Sequence, residues 1–317
     1  MHKRQNKIIH FFEVKSELGA GTYGASLGID AIHFASIQHQ LNIFENNPIK
    51  RIEAPLEWNF EHGKNYEYAY NIDAIIKIYE QIVHELTQLI EKDYFPFIIG
   101  GDHSFAGASI KAIRQAYPDK RLGVIWIDAH ADLHSPFTTP SGNLHGMPLA
   151  TVLEVEKITQ PLNHVSEQEM QQWNYLCNLG GDDILFEDLV YIALRDCEQP
   201  EWDIIHKTGI QYFPPEEIQR WGIETIAQNA CEYLEKCDLI YVSFDVDSMD
   251  PSVSTGTGTP VKNGLSLEQA KTLLNYLWKS PKLSALELVE VNPLLDCNNT
   301  MATIAANIIA ELVHSHF

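Results

Sequence analysis

The chain has 317 residues, 45% hydrophobic and 21% charged, the balance of an ordinary globular protein long enough to bury one large core. Its 43 acidic residues against 22 basic ones give a formal charge of −21, which repels nucleic acid and anionic lipid alike and leaves cations as the natural partners. No run reaches the roughly 18 apolar residues needed to cross a bilayer, and the five cysteines are odd in number and form no C-x-x-C pair, so the expectation is a cytoplasmic protein with reduced thiols.

In chain order, the basic stretch Met1 to Lys7 leads into a short apolar run, and Lys7 to Val14 predicts the first buried strand. Gly19-Ala20-Gly21-Thr22-Tyr23-Gly24 then fits the G-x-G-x-x-G spacing of a dinucleotide turn. Only Glu45 loosely supplies the acidic residue such a site needs, so the glycines read as a plain turn. Tyr66, Tyr68 and Tyr70 alternate ahead of a helix-like stretch, Tyr66 to Lys92, and suit a surface or interface contact. Further strands are predicted at Phe95 to Ile99, Leu122 to Ile127, Leu189 to Leu194, Leu239 to Phe244 and Ser284 to Val289. Helices are predicted at Phe105 to Gln115, Pro215 to Lys236, Ser266 to Lys279 and Met301 to His314. The polar stretch at about 154–187 has weak periodicity and reads as an insertion on the rim. Alternation of strand and helix without a linker or repeat predicts one α/β domain over residues 1–317, built on a mostly parallel sheet.

In such a sheet ligands bind beyond the carboxyl ends of the strands. There the sequence delivers Gly100-Gly101-Asp102-His103-Ser104, Asp128-Ala129-His130-Ala131-Asp132 and Asp245-Val246-Asp247. Residues two apart on extended backbone point to the same side, so Asp128 and His130, like Asp245 and Asp247, can converge on one point, and Asp132 joins them if the chain curls. A cap role explains one such pair. It does not explain three, because each uncompensated buried carboxylate costs several kcal/mol. Four Asp and two His without a thiolate suit Mn²⁺ better than structural Zn²⁺ and are too many for one ion. Two ions about 3.5–4 Å apart can position a hydroxide formed near neutral pH, and no Ser or Cys nucleophile is then required.

Five blocks in order, Gly-Gly-Asp-His-Ser (100–104), Asp-Ala-His-Ala-Asp-Leu (128–133), Ser-Gly-Asn-Leu-His-Gly (141–146), Ser-Phe-Asp-Val-Asp-Ser-Met-Asp-Pro (243–251) and Glu-Val-Asn-Pro (290–293), resemble the signature blocks of the ureohydrolases. The third block and Thr-Gly-Thr-Pro (257–260) resemble arginases more than agmatinases or formiminoglutamases. The resemblance implies a three-layer fold with a central, mostly parallel sheet, and two Mn²⁺ per chain. His103, Asp128, Asp132 and Asp245 would surround one ion, with Asp128, His130, Asp245 and Asp247 around the other and Asp128 and Asp245 bridging. It further implies that Asp132 accepts a hydrogen bond from the attacking hydroxide, that Glu290 pairs with the substrate guanidinium and that His145 shuttles protons. These roles fit the chemistry of a forked carboxylate–guanidinium contact and of a His near neutral pH. L-arginine is the implied substrate, cleaved to L-ornithine and urea, and a trimer or hexamer the implied assembly.

Substrate contacts implied by the same comparison are Ser141, Asn143 and Thr259, with Asp196, Glu198 and Glu201 on the α-amino side. Two positions depart from the usual pattern: His134 stands where an Asn contacts the substrate carboxylate, and Glu198 where a shorter Asp is usual. Another guanidino substrate, of the agmatinase, guanidinobutyrase or formiminoglutamase type, is therefore an alternative. Two readings of a different class, a single-metal deacetylase-like hydrolase and a catalytically silent binding protein, would need fewer Asp ligands or the loss of a ligand.

Overall fold

All six predicted strands form, each within two residues of its expected ends, in a computed structural model that describes residues 7–55 and 66–316. They are β1 (Ile9–Lys15), β3 (Phe95–Gly100), β4 (Leu122–Ile127), β5 (Leu189–Ile192), β7 (Leu239–Asp245) and β8 (Leu283–Val289). Two edge strands join them, β2 (Ile49–Glu53) and β6 (Gln211–Phe213), giving an eight-stranded sheet in the order β2-β1-β3-β8-β7-β4-β5-β6, with every pairing parallel. The central strands are apolar along their length because both faces are covered. Alternate residues divide between two cores: Val124, Trp126 and Tyr241 pack on one side, Ile125, Ile127, Val242 and Phe244 on the other.

The first core is closed by α2 (Ile72–Glu91), α3 (Ala106–Ala116) and α4 (Glu167–Cys177), the second by α1 (Gly28–Gln38), α7 (Ile223–Tyr233), α8 (Leu267–Trp278) and α9 (Thr300–His314). Two shorter helices, α5 (Gln199–Thr208) and α6 (Pro215–Trp221), flank the β5–β6 edge. The result is a three-layer α/β fold.

Several elements differ from their sequence expectation. The helix expected from Tyr66 starts only at Ile72, because Asn71 takes a left-handed φ of 59°. Tyr66 is not a surface contact, being buried with its hydroxyl on Asp73, whereas Tyr70 is half-buried and its backbone N donates to the Gly142 carbonyl. The helix predicted over Pro215 to Lys236 breaks at Gly222, whose φ is 83°. Within the polar stretch 154–187, α4 buries Trp173 and Leu176 against the first core. The expected location rests partly on Met1 to Asn6, which lie outside the described residues; among the described ones no helix is long and apolar enough to cross a membrane.

Candidate metal centre and substrate cleft

Strand order brings the candidate loops side by side, since β3, β8, β7, β4 and β5 are consecutive neighbours in the sheet. Their carboxyl ends carry His103, Glu290, Asp245 with Asp247, Asp128 with His130 and Asp132, and the Asp196–Glu201 segment. Gly101 permits the turn after β3, where any Cβ would strike the carbonyl of Ser16. Asp102 ties this turn to the glycine-rich loop, accepting from Gly19 N at 2.9 Å and Ser104 N at 2.8 Å. Burial, with Glu290 nearby, pushes its carboxyl up to about 6. That loop is thus a wall of the site: Gly19 O accepts from His145 N, and a Cβ on Gly21 would lie 2.8 Å from Asn143 Nδ2.

His103, 1% exposed, faces three carboxylates through Nδ1: Asp128 Oδ2 at 3.1 Å, Asp132 Oδ2 at 3.1 Å and Asp245 Oδ2 at 3.2 Å. None has hydrogen-bond geometry to it, and Nδ1 has no partner. Its Nε2 is satisfied by Ser243 Oγ at 2.8 Å. A ring nitrogen and three carboxylate oxygens converging in a buried space, with no hydrogen bond among them, form a donor set that fits a cation. A second group stands beside it, with His130 Nδ1 3.0 Å from Asp247 Oδ2 and 3.5 Å from Asp128 Oδ1. The two oxygens of Asp128 therefore face different groups.

Electrostatics agree with that reading. Burial and mutual repulsion push Asp245 and Asp247 above the ordinary carboxylate range and Asp132 up to about 6. Against the cost of its own burial, Asp128 is held well below that range by His103 and His130. Burial would lower both imidazoles, but the surrounding carboxylates raise them well above the usual His value. Arg195 reaches only the backbone carbonyl of Asp247, and so much negative charge in one buried space is what a bound cation offsets.

These groups form the floor of a cavity of about 280 Å³. Around it stand His134, Ser141, Asn143, His145, Asp196, Glu198, Glu201 and Thr259. Thr259 donates to Asp247 Oδ2 at 3.0 Å. Glu201 is buried and already engaged by Leu133 N at 3.1 Å and Glu198 N at 3.0 Å, and its burial pushes the carboxyl up to about 8. Glu290 does not line the cavity. It lies just beneath, accepting from His103 N at 2.9 Å and 3.4 Å from His145 Nδ1. Burial would lower the His145 imidazole, but Glu290 pushes it up to about 9. Asp132 and Glu290 both occupy the left-handed region, with φ of 53° and 67°, a backbone cost of about 1–3 kcal/mol concentrated on residues of this cleft.

Known proteins share the sequence pattern and the fold. The arginase family model matches residues 8–314. The arginase of Staphylococcus aureus (strain COL) is 34% identical over 312 residues, 96% of each chain. Among solved structures, arginase from Bacillus subtilis superimposes with a TM-score of 0.79 at 30% identity, covering 97% of this chain and 98% of that one. Entamoeba histolytica arginase, in complex with L-ornithine, gives 0.82 at 25% identity over 96% and 98%. The chain belongs to the arginase family.

As an arginase-type ureohydrolase it carries supporting residues that the motif comparison did not single out. Trp126 stacks on the His103 ring at 4.2 Å between centroids and donates to Asp128 Oδ2 at 3.0 Å. Ser243 orients His103 from the next strand but one. Each precedes an acidic residue of the site by two positions on a strand, and that shared face is the signal that could have found them. The described cysteines are all free, as the sequence suggested.

Proposed function

We propose that this arginase-family hydrolase converts L-arginine to L-ornithine and urea with two Mn²⁺ per chain. His103, Asp128, Asp132 and Asp245 would hold one ion, and Asp128, His130, Asp245 and Asp247 the other. The observation that carries this reading is Asp128, whose two oxygens each face a different His-containing group. A donor set of imidazole and carboxylate without thiolate favours Mn²⁺ over structural Zn²⁺. When bound, the ions supply concentrated positive charge, which lowers the pKa of water toward about 7 and makes hydroxide available near neutral pH.

The chain's own residues supply the rest. Asp132 accepts a hydrogen bond from the attacking water and so fixes its orientation. Glu290, beneath the cavity floor with one oxygen on the His103 amide, would pair with the guanidinium, a planar cation best held by a carboxylate. The reaction adds water across one C–N bond: oxygen joins the guanidinium carbon, and the amine leaves as it gains a proton. His145, at the cavity wall with a raised pKa, donates that proton. At the outer end, Ser141, Asn143 and His134 offer polar atoms to an α-carboxylate, while Asp196 and Glu198 offer negative charge to an α-ammonium. That the Entamoeba histolytica relative was crystallised with L-ornithine supports an amino-acid substrate.

The test is urea release from a panel of guanidino compounds by manganese-loaded protein, with elemental analysis of bound metal. L-arginine should be the preferred substrate, with agmatine at least tenfold poorer, because a missing carboxylate leaves buried donors unpaired at roughly 1–3 kcal/mol each. Tenfold preference for agmatine, guanidinobutyrate or free guanidine would sink the substrate assignment. One tightly held ion per chain, or zinc retained over manganese, would sink the metal assignment.

A further inference from the structure

The two positions at which this sequence departs from the usual arginase pattern touch each other. His134 Nε2 lies 3.0 Å from Glu198 Oε2. A carboxylate only accepts, so the imidazole donates there, while Nδ1 faces Thr138 Oγ1 at 3.1 Å. Each departure accounts for the other: an aspartate would end one carbon sooner, about 1.5 Å, and an asparagine lacks the far ring nitrogen that meets the carboxylate. Glu198 is also the N-cap of α5, in a capping box where Glu201 returns a bond to Glu198 N. One end of the pair is thereby tied to a helix terminus, and its other member is 6% exposed and held by Thr138.

We propose that His134 and Glu198 act as one specificity element: closed on each other across the outer end of the cleft, they open for a head group bearing both charges of an α-amino acid and exchange partners with it. The imidazole N–H passes to the substrate carboxylate and Glu198 to the substrate ammonium. This rests on the amino-acid reading of the cleft. One charge-assisted hydrogen bond breaks and two form. A substrate carrying one half of the head group, such as agmatine or guanidinobutyrate, breaks one and forms one, leaving His134 with only the more distant Glu201 Oε2 at 3.6 Å, or Glu198 with only its cap of α5. The pair thus discriminates more sharply than either residue alone.

A double-mutant cycle tests the exchange, using His134→Asn, Glu198→Asp and the combination in manganese-reconstituted enzyme. Aspartate is itself a good N-cap, so α5 stays capped in every variant, and melting temperatures check this. The readouts are kcat and KM for L-arginine and agmatine and calorimetric Kd for L-ornithine, which has the head group but no guanidinium. Each single substitution should raise the arginine KM and ornithine Kd about fivefold to twentyfold, with kcat within about threefold, and should narrow the arginine-to-agmatine preference. The double variant, with complementary shorter side chains, should return to within about threefold of the parent. A double variant whose loss equals the product of the single losses would overturn the proposal, as would single variants that leave the ornithine Kd unchanged. Failure of the amino-acid reading would show separately, as a preference for agmatine in the unsubstituted enzyme.

Discussion

Replacing Ser243 by Ala should loosen manganese binding while leaving the metal-free fold nearly as stable as before. Ser243 is fully buried and receives His103 Nε2 at 2.8 Å. Two positions earlier on β7, Tyr241 donates its hydroxyl to the buried Glu287 carboxylate. His103 Nδ1 faces Asp128, Asp132 and Asp245, so a ring that holds a cation through Nδ1 carries its proton on Nε2, with Ser243 Oγ as the acceptor. Alanine removes the acceptor. In the metal-loaded protein Nδ1 is committed, and the buried Nε2–H is orphaned at about 1–3 kcal/mol. That range matches the tenfold to hundredfold loss of metal affinity typical when the partner of a ligating His is removed, about 1.4–2.8 kcal/mol. In the metal-free protein Nδ1 is uncommitted, so the ring can keep a proton there, facing three carboxylates, and give up the one on Nε2, which lowers the cost. Calorimetric titration with Mn²⁺ and thermal unfolding with and without Mn²⁺ separate these states. Unchanged Mn²⁺ affinity, or a stability loss that is the same with and without metal, would refute the reasoning.

Under the two-manganese proposal, Asp247→Ala should leave one ion bound in place of two and reduce turnover by at least about a hundredfold, since Asp247 Oδ2 lies 3.0 Å from His130 Nδ1. Elemental analysis after dialysis, alongside circular dichroism to verify folding, measures it. Glu290→Gln should lower the His145 pKa from about 9 toward or below its ordinary 6.5, because burial alone disfavours the imidazolium; the ring-proton titration by NMR in metal-free protein checks this. The parent pKa is raised on folding, so the pair's contribution to stability is complete below about pH 6.5 and is lost as pH rises through about 9. The stability gap between parent and Glu290→Gln should therefore close over that window.

Strand positions and the candidate residues at their ends were legible in the sequence, because buried parallel strands are short unbroken apolar runs and a period of two sends alternate residues to one side. Asp128 with His130 and Asp245 with Asp247 could be singled out for that reason. The edge strands β2 and β6 were not legible, since Ile52 alone is buried in β2 and β6 has three residues. Helix α5 was missed as well, its start marked by a Glu cap where Ser, Thr, Asp or Asn usually signals one. Local pattern could not reveal which strands are neighbours. Insertion of β8 and β7 between β3 and β4 sets Glu290 against the His103 amide, 187 residues away in sequence, and Ser243 against the same ring, 140 residues away. The contact between His134 and Glu198 also belongs to tertiary structure. In the sequence these are two separate departures from a pattern, and only the pairing of β4 with β5 puts the loops that carry them within a hydrogen bond of each other. Periodicity records which way a side chain faces relative to its own backbone, whereas its partners depend on the order in which strands pack.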